Sequence, residues 1–131
     1  MEIREPERLN PVVGEADVIV VGSGPGGLSA AIAAARAGVS VILIESFGCF
    51  GGNITSVGVE GFAWYRHEKT IEAGGLAFEY EQRAIESNAA VPESQSKSYE
   101  LDSEGFKVVA DNLVLKAGVR PMLHRAFCAP I

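Results

Sequence analysis

Three groups of residues in this chain have types and spacing suited to chemistry. The first is Gly22-Ser23-Gly24-Pro25-Gly26-Gly27, a G-x-G-x-x-G run between a β-branched stretch and an alanine-rich one. Gly22 permits a tight turn out of a strand, Gly24 has no Cβ and lets backbone approach a pyrophosphate, and Gly27 lets a helix pack closely on a sheet. The first-turn N–H groups of that helix, Gly26 and Gly27 among them, lack intrahelical partners and can face an anion. A doubly charged phosphate group can therefore be received without a lysine. The second group is Glu45, 18 residues after Gly27. At the end of a second strand its carboxylate can accept hydrogen bonds from ribose 2′- and 3′-hydroxyls, and it repels a 2′-phosphate, which disfavours NADP. The third is Gly48-Cys49-Phe50-Gly51-Gly52-Asn53, a second glycine-rich loop.

These residues do chemistry only if the chain positions them. Asp17–Val21 reads as a strand buried on both faces, as in a parallel sheet. Leu28–Ala37 reads as a helix closed by Gly38, and Val39–Ile44 as a second buried strand ending at Glu45. In that strand–helix–strand setting the G-x-G-x-x-G run is a dinucleotide-binding fingerprint rather than a bare glycine turn. The pattern predicts a helix over 70–87, with Leu76, Tyr80 and Ala84 on one face and a start weakened by Gly74 and Gly75. Residues 87–98 read as an exposed polar loop, and 54–62 fits no element. Asp102 or Ser103 caps a helix to about Ala117, whose face is Phe106, Val109, Ala110, Leu113 and Ala117, with Gly118 as its C-cap. Val119–Leu123 reads as a third strand, and 126–131 as the start of a fourth. The order implies an α/β domain on a parallel sheet.

Composition removes other classes. A net charge of −6 is unlike the basic footprint of a nucleic-acid binder. Cys49 and Cys128 make neither a disulfide framework nor a metal site, and they fit a reducing, cytoplasmic compartment. The N-terminus has no secretory pattern. The uncharged run Val18–Ala35 approaches a membrane span in length, but its glycines, proline and serines break it at the centre.

The fingerprint alone does not separate FAD from NAD. Glu45–Thr55, Glu-Ser-Phe-Gly-Cys-Phe-Gly-Gly-Asn-Ile-Thr, resembles the stretch that follows the acidic residue in many flavoproteins. Arg4–Gly14 with Ala16-Asp17-Val18, Gly48-x-x-Gly51-Gly52-x-x-Thr55, Asp102–Lys107, and Ala117-Gly118-Val119 to His124 follow in the order seen in one family. The chain resembles the bacterial FAD-dependent oxidoreductases related to the flavin subunit of heterodisulfide reductase. That resemblance implies a Rossmann-like FAD-binding fold of the glutathione-reductase type, with FAD as cofactor. It places Glu45 on the adenosine ribose, and Ser46, Gly51 and Gly52 along the pyrophosphate and ribityl chain. It sets Asn53 near the flavin ring, and Phe127 where backbone meets adenine. Position 46 is often basic in such proteins, so a charge contact is missing here. A thiazole-synthase-like enzyme shares the fingerprint, but no further residue favours it.

Proteins of this type also need a later Gly-Asp segment and a substrate domain. Residues 1–15 then form an extension, and 16–131 an N-terminal portion of the FAD-binding domain. The fold is incomplete in this chain, with the remainder expected on a partner chain or missing. The expectation is an FAD-binding subunit or fragment of a hetero-oligomeric oxidoreductase, transferring hydride between a small molecule and FAD. The alternatives are a non-catalytic partner with a vestigial site and an NAD-dependent dehydrogenase fragment. No catalytic residue is assigned. Cys49 lacks the second cysteine of a dithiol enzyme and reads as a packed thiol. Glu60, Trp64, Tyr65, Arg66 and His67 read as a surface cluster more readily than as a carboxylate clamp and base. His124 reads as structural, and the acidic residues of 79–86 as a solvated helix face.

Overall fold

The computed structural model describes residues 9–62, 74–94 and 98–129, with 66–67 and 70–71 described as backbone. Strand β1 (Val18–Val21), helix α1 (Pro25–Arg36) and strand β2 (Val41–Ile44) form the expected strand–helix–strand unit. Two short hairpins follow, β3 (Arg66–His67) with β4 (Thr70–Ile71), and β5 (Ala90–Pro92) with β6 (Tyr99–Leu101). Helix α2 (Leu76–Glu86) lies between them, and α3 (Ser103–Ala117) and β7 (Arg120–Met122) complete the order.

The main sheet has the order β1-β2-β7, all parallel, with Val21 opposite Ile44 and Ile44 opposite Met122. The three strands therefore end level with one another. On one face, Val18, Val20, Val41 and Leu43 pack against Leu28, Ala31 and Ile32 of α1 and the apolar side of α3. Phe106, fully buried, meets Tyr80 of α2 and Phe62 edge-on, with ring centroids 6.1 and 6.2 Å away. The side of α3 set out by helical spacing is the side that is buried, and Val114 joins it. Its start is capped by Asp102, whose carboxylate accepts from the Glu104 N–H at 3.0 Å, and its end by left-handed Gly118.

Several expected elements come out differently. Helix α2 does not begin at residue 70: Thr70–Ile71 is a hairpin strand, and Gly75 takes φ +61°, which a helix interior does not accommodate. The polar stretch 87–98 is not all loop, because Ala90–Pro92 pairs with Tyr99–Leu101. Residues 53–57, which fitted no element, form a single π-helical turn closed by left-handed Gly58. Residues 126–129 form no strand, and 130–131 lie outside the described residues.

Phe106→Ala is expected to lower unfolding free energy by about 3–5 kcal/mol, read from urea denaturation. Val108→Ala, on the exposed side of the same helix, should change it by roughly 0.5 kcal/mol or less.

Candidate cofactor site

The level ends of β1 and β2 bring the first glycine loop beside Glu45. The Gly22 N–H donates to the Ile44 carbonyl at 2.8 Å, and the Glu45 N–H to the Met122 carbonyl at 3.0 Å. Ser23, fully buried, then joins three segments. Its N–H and hydroxyl both donate to Glu45 Oε2, at 2.7 and 2.5 Å, and its carbonyl accepts from the Gly51 N–H at 2.9 Å. Glu45 Oε1 accepts from the Ser46 hydroxyl at 3.0 Å and the Phe47 N–H at 2.8 Å. Burial pushes the Glu45 carboxyl up, but the donors from Phe47, Ser23 and Ser46 outweigh it and hold the group at about 2. The carboxylate is ionised at any physiological pH.

The two glycine loops touch. A Cβ on Gly52 would sit 2.7 Å from Gly24 Cα, so the second loop lies directly on the first. A Cβ on Gly27 would sit 1.9 Å from the Gly22 carbonyl oxygen, so the start of α1 is packed against the turn that precedes it. By contrast a Cβ on Gly24 or Gly26 would meet nothing within 4 Å. The space in front of the loop is open where close approach is needed and closed where packing is needed. Helix α1 has Pro25 in its first turn, no side-chain cap and no acidic residue there. Its first-turn N–H groups can therefore receive an anion from outside.

Beyond β7 the chain folds back over Glu45. The Arg125 N–H donates to the Glu45 carbonyl at 2.9 Å and the His124 N–H to the Phe47 carbonyl at 3.3 Å. His124 takes φ +55°, and its ring lies so close to Gly48 that a Cβ there would be 2.8 Å from Cε1. Phe127 follows on this segment, about half-exposed. Asn53 heads the π-helical turn, which is braced by the Thr55 hydroxyl on the Phe50 carbonyl at 2.6 Å. It lines a cleft of about 420 Å³ with Pro25, Gly26, Ser29, Phe62 and Tyr80. The Ser29 hydroxyl donates to the Pro25 carbonyl at 2.7 Å and lies 3.0 Å from the Tyr80 hydroxyl, so Tyr80 is the donor of that pair.

Ser46, Gly51, Gly52 and Asn53 thus lie on the same edge as the fingerprint and Glu45. The bracing by Ser23 and the Tyr80–Ser29 pair were not legible as site features. Cys49 is a half-buried thiol 3.8 Å from Thr55 Oγ1 and 3.7 Å from Ser56 Oγ. The Glu60 carboxylate accepts from the Ser103 hydroxyl at 2.9 Å. Trp64, Tyr65 and the side chains of Arg66 and His67 lie outside the described residues. Among the described residues no three acidic, histidine or cysteine side chains gather as a metal site, and no helix is long and apolar enough to cross a membrane.

Comparison with known proteins settles the family. Residues 17–130 match the family described as FAD dependent oxidoreductase. The chain belongs to that family. Among curated relatives of this flavoprotein, dihydrolipoyl dehydrogenase of Chlorobaculum tepidum is 29% identical over 129 residues, covering 89% of this chain and 28% of that protein. Thiamine thiazole synthase of Saccharolobus islandicus is 32% identical over 106 residues, covering 81% of this chain and 36% of that one. The chain thus spans about a third of the length of these relatives. Among solved structures, THI4 of Thermovibrio ammonificans superposes with a TM-score of 0.57 at 20% identity, over 82% of this chain and 38% of that one. L-amino acid deaminase of Proteus vulgaris superposes at 0.54 and 16% identity, over 92% and 47%. At these identities the structures speak to the fold alone. The fold is the α/β fold of a Rossmann-like FAD-binding domain in part, and the cofactor of the family is FAD.

Because its carboxyl is depressed, Glu45 adds stability that is complete above its ordinary 4.5 and is lost as pH falls towards 2. Glu45→Gln is expected to cost on the order of 3 kcal/mol at neutral pH. It should also flatten the acid limb of stability against pH, followed as the urea midpoint between about pH 6 and 2. An acid limb identical to wild type would show that the carboxylate is not held as described.

Proposed function

We propose that this chain seats the adenosine diphosphate half of FAD for a flavin-dependent oxidoreductase that moves hydride between a small molecule and the flavin. The observation that carries this is the contact of Gly52 with Gly24, with Ser23 bonded to both Glu45 and Gly51. It sets both glycine loops and the ionised Glu45 on one open edge.

The residues suit the group. Gly24 and Gly26 leave room for a pyrophosphate, and the N–H groups of Gly26 and Gly27 offer it donors with no competing acidic side chain in the first turn. Glu45 offers acceptors to ribose hydroxyls, with the exposed Ser46 beside it among its present donors. Phe127 stands on the segment pinned over the Glu45 loop, where adenine is expected. The cleft beside Asn53 and Tyr80 opens from Pro25 and Gly26, and has room for the far end of the cofactor or its substrate. FAD, when bound, supplies the hydride chemistry. The chain's own part is to bind the phosphates, fix the ribose and orient what lies beyond. A vestigial site is disfavoured by Gly24, whose open face the packing of the fold does not require.

The chain spans about a third of its curated relatives. Completion by a second polypeptide, in the manner suggested by the resemblance to a flavin subunit, is part of the proposal. Purified from its own host, the chain is expected in a yellow assembly heavier than 13.8 kDa that releases FAD on denaturation. Gly24→Ala should leave the fold intact, because a Cβ there meets nothing. It should weaken FAD retention by about tenfold or more, which is about 1.4 kcal/mol or more. A folded wild-type chain that neither carries nor takes up FAD would sink the proposal.

A further inference from the structure

A carboxylate has about four lone-pair positions, and four donors already converge on Glu45. A ribose hydroxyl brought to Glu45 therefore has to displace one of them. The four are not equally able to leave. Two are backbone N–H groups, of Ser23 at 2.7 Å and of Phe47 at 2.8 Å. Both residues are pinned a second time, since the Ser23 carbonyl accepts from the Gly51 N–H and the Phe47 carbonyl from the His124 N–H. The third donor is the hydroxyl of the fully buried Ser23, 2.5 Å from Oε2. Turned away, it gives up a charge-assisted bond in a place that water does not reach. The fourth is the Ser46 hydroxyl, which makes the longest bond of the set at 3.0 Å and sits on an exposed residue. A hydroxyl there can rotate off the carboxylate and bond water instead.

We propose that Ser46 competes with the ribose for Glu45: its hydroxyl holds the one acceptor position that can be given up, so the ribose binds by displacing it and places a single hydroxyl of its pair on the carboxylate. This rests on the reading of Glu45 as the ribose acceptor. The main chain offers no other way to free an acceptor. The Glu45 N–H is bonded to the Met122 carbonyl and the Glu45 carbonyl to the Arg125 N–H, so the residue is held on both sides. The side of approach follows from the donors. Both donors on Oε2 come from the buried Ser23, whereas Oε1 is bonded by the exposed residues Ser46 and Phe47. Oε1 is therefore the oxygen that a ribose reaches. Ser46 then lowers the affinity for the ribose, the opposite of what a polar neighbour of a binding carboxylate ordinarily does. The family resemblance set Ser46 along the pyrophosphate and ribityl chain; its bond to Glu45 puts it at the ribose end instead.

The test is calorimetric titration of the full chain, wild type and Ser46→Ala, with ADP, 2′-deoxyADP, 3′-deoxyADP and 2′,3′-dideoxyADP. Ser46→Ala is expected to bind ADP about three- to tenfold more tightly, the range of one net hydrogen bond. The dideoxy ligand should bind both proteins alike, because it brings no hydroxyl to compete. On the wild type, one monodeoxy form should match ADP within about twofold and the other should fall to the level of the dideoxy ligand. This second arm needs no variant, so it decides the matter even if Ser46→Ala fails to fold. Weaker or unchanged ADP binding by a folded Ser46→Ala overturns the competition. Equal tightening of ADP and the dideoxy ligand overturns it as well, since the effect would not pass through the ribose. Loss of affinity by both monodeoxy forms overturns the single hydroxyl, and loss by neither overturns the placement of the ribose on Glu45. A folded wild-type chain that binds none of the four overturns the cofactor reading together with this inference.

Discussion

Glu45 is a carboxylate with little solvent of its own at the end of a central strand, and the geometry of the cofactor edge depends on how it is satisfied. A buried charge without partners costs several kcal/mol. Here four donors converge on it, and two of them come from one residue, Ser23. Because the Ser23 carbonyl also receives the Gly51 N–H, satisfying the charge fixes the first glycine loop, the end of β2 and the second glycine loop together. The carboxylate is thus a structural clamp, to which the proposed function adds the part of an acceptor.

The glycines divide by the work they do around this clamp. Gly27 and Gly52 are places where backbone presses on backbone, and any side chain would force the loops apart. Gly24 and Gly26 face open space, where an added Cβ meets nothing, so packing does not require glycine there. Closure on one side and openness on the other leave a shallow trough at the N-terminus of α1. The trough carries the positive end of the helix dipole and has a fixed carboxylate at one end. On the proposed function, an acidic chain would receive a phosphate in this way with backbone alone.

Much of this was legible from the residues. Buried parallel strands show as continuous β-branched runs, so β1 and β2 stood out. Helix α3 stood out because its apolar spacing, its Asp102 cap and its Gly118 stop all agree. The glycine loops and Glu45 carry a spacing with a direct steric meaning. What was missed depends on contacts distant in sequence. Ala90–Pro92 contains a proline in a polar stretch, and only its pairing with Tyr99–Leu101 makes it a strand. Residues 70–75 have a helical tint, but Gly75 in the left-handed region and the Arg66–His67 hairpin override it. Ser23 was read as part of the cofactor-binding run, but its tie to Glu45 requires knowing that Val21 lies opposite Ile44. His124 was read as structural, and its ring does lie against Gly48 beside the Glu45 loop.

The most direct test of the central claim is a titration of the ¹⁵N-labelled chain with ADP, the half of FAD proposed to sit on this edge, followed amide by amide. The amides of Ser23, Gly24, Gly26, Gly27 and Phe47 are expected to move together with a single saturation curve, while those of the β5–β6 hairpin and the exposed side of α3 stay in place. Saturation with the glycine loop unmoved, or movement centred on the groove lined by Arg36, Arg83 and Lys116, would contradict it.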